Sequence, residues 1–302
     1  MKKALVIATL VACVCCLIAI ASAERQASPT PTPPAPAVPP AVAPSAKTAD
    51  TADMVHIRAG IFTMGRVAGD KNYDTDETPA HRVGVNPFWM DQHPVTMAEY
   101  EACVGAKVCQ PAKTSTEAMW AEYYNAGKND RANHPANGVD WNDATAYCTW
   151  KGKRLPTEAE YEYVMRGGRE GVIYPWGPSP TPTAHFGNYA DESLKKKYDN
   201  WKIYPGYDDG FTGTSPVCTF KRNLYGLCDI SGNVWEWCAD WYAKGYYATS
   251  PSTNPQGPAT GKDRVLRGSA WDSEPWYGRT SARDYAAPTY WYHNIGFRCV
   301  KD

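Results

Sequence analysis

The side chains that could do chemistry in this chain are unevenly placed. No cysteine lies between Cys238 and Cys299. A centre that needs two neighbouring thiolates therefore cannot be built in that stretch. Residues 269–293 read SAWDSEPWYGRTSARDYAAPTYWYH instead. Trp271, Trp276, Tyr277, Tyr285, Tyr290, Trp291 and Tyr292 stand there among Asp272, Ser273, Glu274 and Asp284. Rigid aromatics mixed with small polar groups are what a paratope-like binding surface uses. The histidines (His56, His81, His93, His134, His185 and His293) show neither an i,i+4 pair nor facial-triad spacing, so each reads as structural.

Such a segment needs a scaffold, and the scaffold signals lie ahead of it. Residues 54–65 and 81–90 alternate loosely between apolar and polar, which predicts two strands with a polar, acidic surface loop at 66–80. Helices are predicted at 96–104, 140–151 and 157–165. The second has Asp140 as N-cap, with Ala144, Tyr147 and Cys148 on one face. In the third, Thr157 and Glu160 form a capping box and Gly167-Gly168 stops the helix. Beyond Gly168 regular periodicity fades for about a hundred residues. A loop of that length counts against a compact domain unless disulfides or metal ions hold it.

Composition narrows the choices. A formal charge of −1 without a Lys/Arg block lacks the footprint of a nucleic-acid binder. Twelve Trp and twenty Tyr stand against six Phe. Tyr and Trp suit ligand-facing surfaces, and they also suit a loop-rich core where indole and phenol groups satisfy carbonyls; most are expected in the core. Residues 1–23 pass from Lys2 and Lys3 through an apolar run to Ala21-Ser22-Ala23, the order of a secretory signal cleaved before Glu24. Leu10 to Cys13 also fits a lipobox, and the apolar run also fits an uncleaved anchor that tethers the N-terminus to a membrane. All three readings export the domain.

Residues 24–50 form a proline-rich linker, with eight prolines between Ser28 and Lys47, leaving 51–302 as the folded domain. An exported chain keeps disulfides. Cys103 and Cys109 bracket one short loop and Cys218 and Cys228 another, although spacing alone does not fix connectivity.

The motifs MVHIRAGIFTMG (54–65), KRLPTEAEYEY (153–163), YPWG (174–177), DDGF (208–211), GNVWEW (232–237) and RVLRG…SAR…NIGFRC (264–299) stand in this order. Together they resemble the formylglycine-generating enzyme, or sulfatase-modifying factor, family over nearly all of 54–300. The resemblance implies an α+β, C-type-lectin-like fold low in regular secondary structure. The family's oxidase holds Cu(I) between two cysteines spaced C-x4-C and oxidises a cysteine of a client sulfatase. On the RVLRG frame, Ser273 and Gly278 fall where those cysteines would lie. The resemblance therefore implies no catalytic residue, no copper and no copper-dependent oxidation here.

It also implies two structural Ca2+ sites. For the first, Asn188 and Asp209 would give side-chain oxygens, with carbonyls from Tyr189 and Phe211. For the second, Asp229 and Glu236 would give carboxylates, with carbonyls from Gly232 and Val234. Such hard-oxygen sets suit calcium. By the same resemblance Cys148 pairs with Cys299, leaving Cys238 as a buried free thiol. Arg283 and Asn294 would line the client groove, though Arg283 fits a structural ion pair equally well. The expected ligand-binding set is Arg283, Asn294, Trp271, Ser273, Trp276, Tyr277 and Trp291. The function expected is capture of a protein, peptide or glycan by a periplasmic, secreted or cell-surface domain. The competing expectation is an oxidoreductase of altered chemistry in the same cleft.

Overall fold

The computed structural model describes residues 51–182 and 185–302; the signal and linker expected at 1–23 and 24–50 lie outside the described residues. The fold is α+β. Strands β1 (Met54–Ile57) and β2 (Gly60–Met64) run antiparallel to β4 (Phe88–Asp91) and β3 (His81–Val85). Met54 pairs with Asp91 and Met64 with His81 in one unbroken register, so the two ladders are halves of a single long hairpin. Its interruption sets Arg58 and Ala59 across from Pro87 and Asn86, and proline has no N–H to give a ladder. Each strand expected at 54–65 and 81–90 is therefore broken once. Strand β9 (Val300–Lys301) adds to the free edge of β4.

The remaining sheet has the order β7-β6-β5-β8. Strand β5 (Trp235–Trp241) pairs antiparallel with β6 (Arg264–Arg267) and parallel with β8 (Ile295–Gly296), and β7 (Asp284–Ala286) flanks β6. The helices are α1 (Met97–Gly105), α2 (Ala118–Ala121), α3 (Trp141–Trp150), α4 (Glu158–Met165) and α5 (Glu192–Lys197). The sequence starts α1, α3 and α4 alike. In α4 the Thr157 hydroxyl accepts from Glu160 N while the Glu160 carboxylate accepts from Thr157 N, satisfying two amides that a helix start leaves open. Asp140 with Asp143 and Thr96 with Glu99 do the same. Gly167 and Gly168 both have positive φ and end α4.

Helix α4 packs against β2, β3, β5 and β6, and it buries charge as well as apolar surface. Glu162 accepts from Arg166 (2.6 Å), Arg267 (2.7 Å) and the Gly65 amide (2.8 Å). Glu158 takes two hydrogen bonds from Arg283, and Arg279 pairs with Glu77 and Asp70 on the loop between β2 and β3. An apolar cluster including Phe62, Val83, Tyr161, Cys238 and Val265 surrounds this network. A second cluster joins α1 and α3 to β5 through Tyr100, Tyr147, Trp237 and Phe297.

Between Gly168 and Trp235 the main regular element is α5. Aromatic rings hold much of the rest. Tyr174, Trp176, Tyr189, Tyr204 and Tyr207 form a buried cluster of their own. Their polar tips satisfy loop carbonyls: Tyr204 donates to Pro275 O, Tyr207 to Gly187 O and Trp176 to Ser179 O. Three disulfides close the frame, Cys103–Cys109, Cys218–Cys228 and Cys148–Cys299. The last ties α3 to the chain just before β9. Cys238 is free and buried. Among the described residues no helix is long and apolar enough to cross a membrane.

Candidate functional site

The segment that the sequence singles out runs from one edge of the four-stranded sheet to the other. After β6 the chain turns at Gly268 and Ser269, makes a short 3-10 turn at Pro275–Gly278, returns as β7 and ends at β8. Two adjoining cavities open there, of about 450 Å³ and about 310 Å³, and both are lined by Trp235, Asp284 and Asn294. The larger adds Tyr285, Tyr290 and Tyr292; the smaller adds Asp272, Ser273, Glu274, Trp276 and Tyr277. The rings are locked by one another. Trp276 lies on Tyr277 with centroids 3.7 Å apart, Tyr277 meets Trp235 edge-on at 5.3 Å, and Tyr285 stacks on Tyr242 at 3.8 Å.

Of the residues expected to bind ligand, Ser273, Trp276, Tyr277 and Asn294 come together in this cleft. Arg283 does not: it is buried, with its guanidinium engaged by Glu158 and Asp76 O. The ion-pair reading of Arg283 is the one the structure supports, because burying a guanidinium demands a carboxylate partner. Trp271 is also interior, packed on Tyr123 with ring centroids 4.6 Å apart, and its indole N–H is without a partner. Trp291 leans on Tyr124 beside the cleft rather than lining it. Trp235, at the start of β5, lines both cavities and is not among the ligand-binding residues expected from the sequence. No local sequence signal marks it, because its place in the cleft wall follows from where β8 ends.

Asp272 lines the smaller cavity and is itself buried. Asn294 Nδ2 donates to both its carboxylate oxygens (3.0 and 3.1 Å), and Trp201 Nε1 donates to its backbone carbonyl. Burial pushes the Asp272 pKa up to about 6, even with the Asn294 hydrogen bonds opposing the rise. His293 Nδ1 lies 3.9 Å away but does not neutralise it: burial pushes the imidazole down to about 3. Both His293 nitrogens are buried without hydrogen-bond partners. No cysteine lines either cavity. Cys238 sits within β5 in the apolar cluster, where burial holds its thiol well above the usual range and so protonated.

The two expected cation sites differ. At the first, Asp209 accepts from the amides of Tyr189 (2.8 Å) and Phe211 (2.9 Å), drawing those residues together, while the buried Asn188 Oδ1 has no partner. Burial, with Asp191 beside it, pushes Asp209 up to about 8. An orphaned amide oxygen beside a carboxylate destabilised as an anion fits a hard cation. At the second, Gly232 (φ 87°) lets the chain pass so close that a Cβ would stand 2.5 Å from Asn188 O. Asp229 Oδ1 is buried without a partner, but both Glu236 oxygens are taken by Arg298 at 2.7 Å. This set therefore fits a cation less completely than the first. Among the described residues no three His, Cys, Asp or Glu side chains converge on a metal position, so a cation at either place would lean on Asn and backbone oxygens.

Known proteins share this architecture. The family model described as "Sulfatase-modifying factor enzyme 1-like domain" matches residues 39–302. The formylglycine-generating enzyme of Streptomyces coelicolor is 36% identical over 295 residues, covering 86% of this chain and 92% of that protein. The inactive C-alpha-formylglycine-generating enzyme 2 of Mus musculus is 33% identical over 290 residues, covering 82% and 85%. Among solved structures, PvdO from Pseudomonas aeruginosa superposes with a TM-score of 0.69 at 30% identity, over 87% of this chain and 100% of that one.

Proposed function

The chain belongs to the sulfatase-modifying factor enzyme 1-like family, and from that premise we propose that it is a ligand-binding member without copper-dependent cysteine oxidase activity. The observation that carries this reading is the cleft: its lining is aromatic, acidic and amide-bearing, with no thiol. Ser273 stands on its wall, where the resemblance would put a catalytic cysteine, and a hydroxyl is not a Cu(I) ligand. The rings are preset by stacking, so a ligand need not order them on binding. A protein, peptide or glycan segment is the occupant we propose. That relatives include both formylglycine-generating enzymes and one named inactive is compatible with loss of the reaction on a retained scaffold.

The domain is proposed to be exported, supported by three disulfides and the N-terminal charged-apolar-small order. Structural Ca2+ is proposed at Asn188, Tyr189, Asp209 and Phe211, with a second, weaker place at Asp229, Gly232, Val234 and Glu236. One observation favours a second reading, an oxidoreductase of altered chemistry: Asp272 is a carboxyl with a raised pKa in a cleft, a combination enzymes use for proton transfer.

The test is direct. The purified chain is incubated with Cu(I), oxygen and a cysteine peptide from a sulfatase, and separately screened against peptide and glycan arrays. The expected result is no oxygen uptake, together with ligand capture that Trp276→Ala removes. Stoichiometric copper with formation of formylglycine would overturn the binding reading.

A further inference from the structure

The two most exposed large apolar side chains among the described residues are Leu224, at 72%, and Ile61, at 66%. Scattered exposed apolar residues are ordinary on a protein surface, and three observations set these two apart. First, they belong to one patch. Ile61, Phe62, Tyr163, Gly168 and Tyr225 are in the wall of a cavity of about 190 Å³. Its rings pack on one another, Phe62 on Tyr163 with centroids 5.4 Å apart and Tyr163 on Tyr225 at 5.8 Å. Leu224 lies alongside, over Gly167, where an added Cβ would stand 3.5 Å from Leu224 Cβ. Second, the loop that carries Leu224 is tied down. Asn223 Oδ1 accepts from the Tyr225 and Leu227 amides, Asn223 N donates to Leu227 O, and Asn223 Nδ2 donates to Val164 O in the last turn of α4. The Cys218–Cys228 disulfide closes the same loop. A leucine that such a loop keeps in water adds little to the fold. Third, Lys221 and Arg222 stand just before Asn223, both exposed and in none of the described ion pairs. The carboxylate in the cavity wall, Glu170, is already taken by Arg82 at 2.6 Å.

From this surface we propose that the domain docks on an anionic lipid bilayer, with Leu224 and Ile61 entering the interface and Lys221 and Arg222 meeting lipid phosphates. Apolar side chains beside basic ones are the composition that binds at a charged membrane surface, the first by burial and the second by attraction to anionic headgroups. Tyr225 suits the same place, because its ring is apolar and its hydroxyl can stay at headgroup level. A second copy of the chain is a poorer occupant. A two-fold contact through this patch would bring the Lys221 and Arg222 pairs of both copies onto one interface, where like charges repel. Lipid phosphates turn that repulsion into attraction. None of these residues lines the cleft, so the proposal stands whether or not the cleft binds a ligand.

The chain from Glu24 onward, the form that signal cleavage would leave, is sedimented with two kinds of vesicle. One is phosphatidylcholine alone; the other is phosphatidylcholine and phosphatidylglycerol in equal parts. Binding to the anionic vesicles should exceed binding to the neutral ones by at least about tenfold and should fall as salt is added. Replacing both Lys221→Glu and Arg222→Glu should remove most of that difference, since each cation near an anionic surface strengthens binding by about fivefold. Leu224→Asp should weaken binding by about tenfold or more, with the thermal midpoint near the wild-type value because this side chain is already in water. Leu224→Trp should strengthen it. Absence of binding to either vesicle, or equal binding to both, would overturn the proposal. Binding that survives Leu224→Asp and the double charge reversal would overturn it too, by placing the membrane face elsewhere. A concentration-dependent dimer in sedimentation velocity that Leu224→Asp dissolves would replace the lipid with a second copy.

Discussion

Two regions of this molecule bury charge by opposite rules. Under α4, arginines and carboxylates interlock: Glu162 with Arg166 and Arg267, Glu158 with Arg283, Arg279 with Glu77 and Asp70. Along the loops from 185 to 234 and around the cleft, the buried Asp229 and Asp272 and the half-buried Asp209 and Asp284 are in none of the described Arg or Lys ion pairs, and their pKa values are raised. Under α4 the exception is Asp240, which is buried, in no described ion pair and also raised. The contrast separates framework from working surface. A closed ion-pair network fixes how segments cross and takes nothing from outside, whereas the acids of the second region have no counter-charge from the chain itself.

The comparison can be broken most severely in the network. Glu162→Ala strands Arg166 and Arg267 in the interior, and removing one partner of a buried pair costs about 3–5 kcal/mol. Urea unfolding should show that loss; a cost below about 1 kcal/mol would mean the network is not what holds the frame. Next comes the Cys148–Cys299 link. Replacing both cysteines by serine should cost about 2–5 kcal/mol of stability, measured in the same way.

The cation-poor loops should respond to calcium instead. At a hundredfold excess over its dissociation constant, Ca2+ should stabilise by about 2.7 kcal/mol, seen as a raised thermal midpoint that a chelator reverses. Asp209→Ala should abolish that response. A midpoint indifferent to chelator in a calcium-loaded sample would sink the calcium proposal.

An effect of similar size concerns pH. The folded pKa of Asp272, about 6, lies above the ordinary aspartate value of 3.8, so the folded chain holds this proton more tightly than the unfolded one. The stability tied to this group is thus full below about pH 4 and is lost as pH rises through about 6. Asp272→Asn should flatten that part of the profile, with wild type and variant diverging by about 2–3 kcal/mol between pH 4 and pH 8. Parallel profiles would show that the carboxyl is better solvated than its burial suggests.

Much of the framework was legible because it is local. Capping boxes at Thr96, Asp140 and Thr157 are short-range hydrogen-bond patterns, and the structure places α1, α3 and α4 behind them. The single register of the long hairpin was not legible, because alternation marks strands without saying which residues face each other. The hold on 168–234 was only half visible. Disulfides were expected there, but the pairing of Tyr hydroxyls with distant carbonyls, such as Tyr204 with Pro275, depends on contacts that no sequence window contains. Arg283 shows the same limit: its type suits a groove or an ion pair equally, and only the position of Glu158, 125 residues away in sequence, decides.

The spacing of the arginine anchors has a consequence for engineering. Arg267, Arg279, Arg283 and Arg298 pin the chain at intervals on either side of the cleft-lining stretches, each through carboxylates outside the cleft. The lining side chains Glu274, Trp276, Tyr277, Tyr285, Tyr290 and Tyr292 hang between those pins on backbone that is held elsewhere. A combinatorial library confined to these six positions would reshape the recognition surface while leaving every anchor untouched. How far those positions can be varied would then be set by the buried arginines and by the two rings, Tyr277 and Tyr292, that also pack on the core.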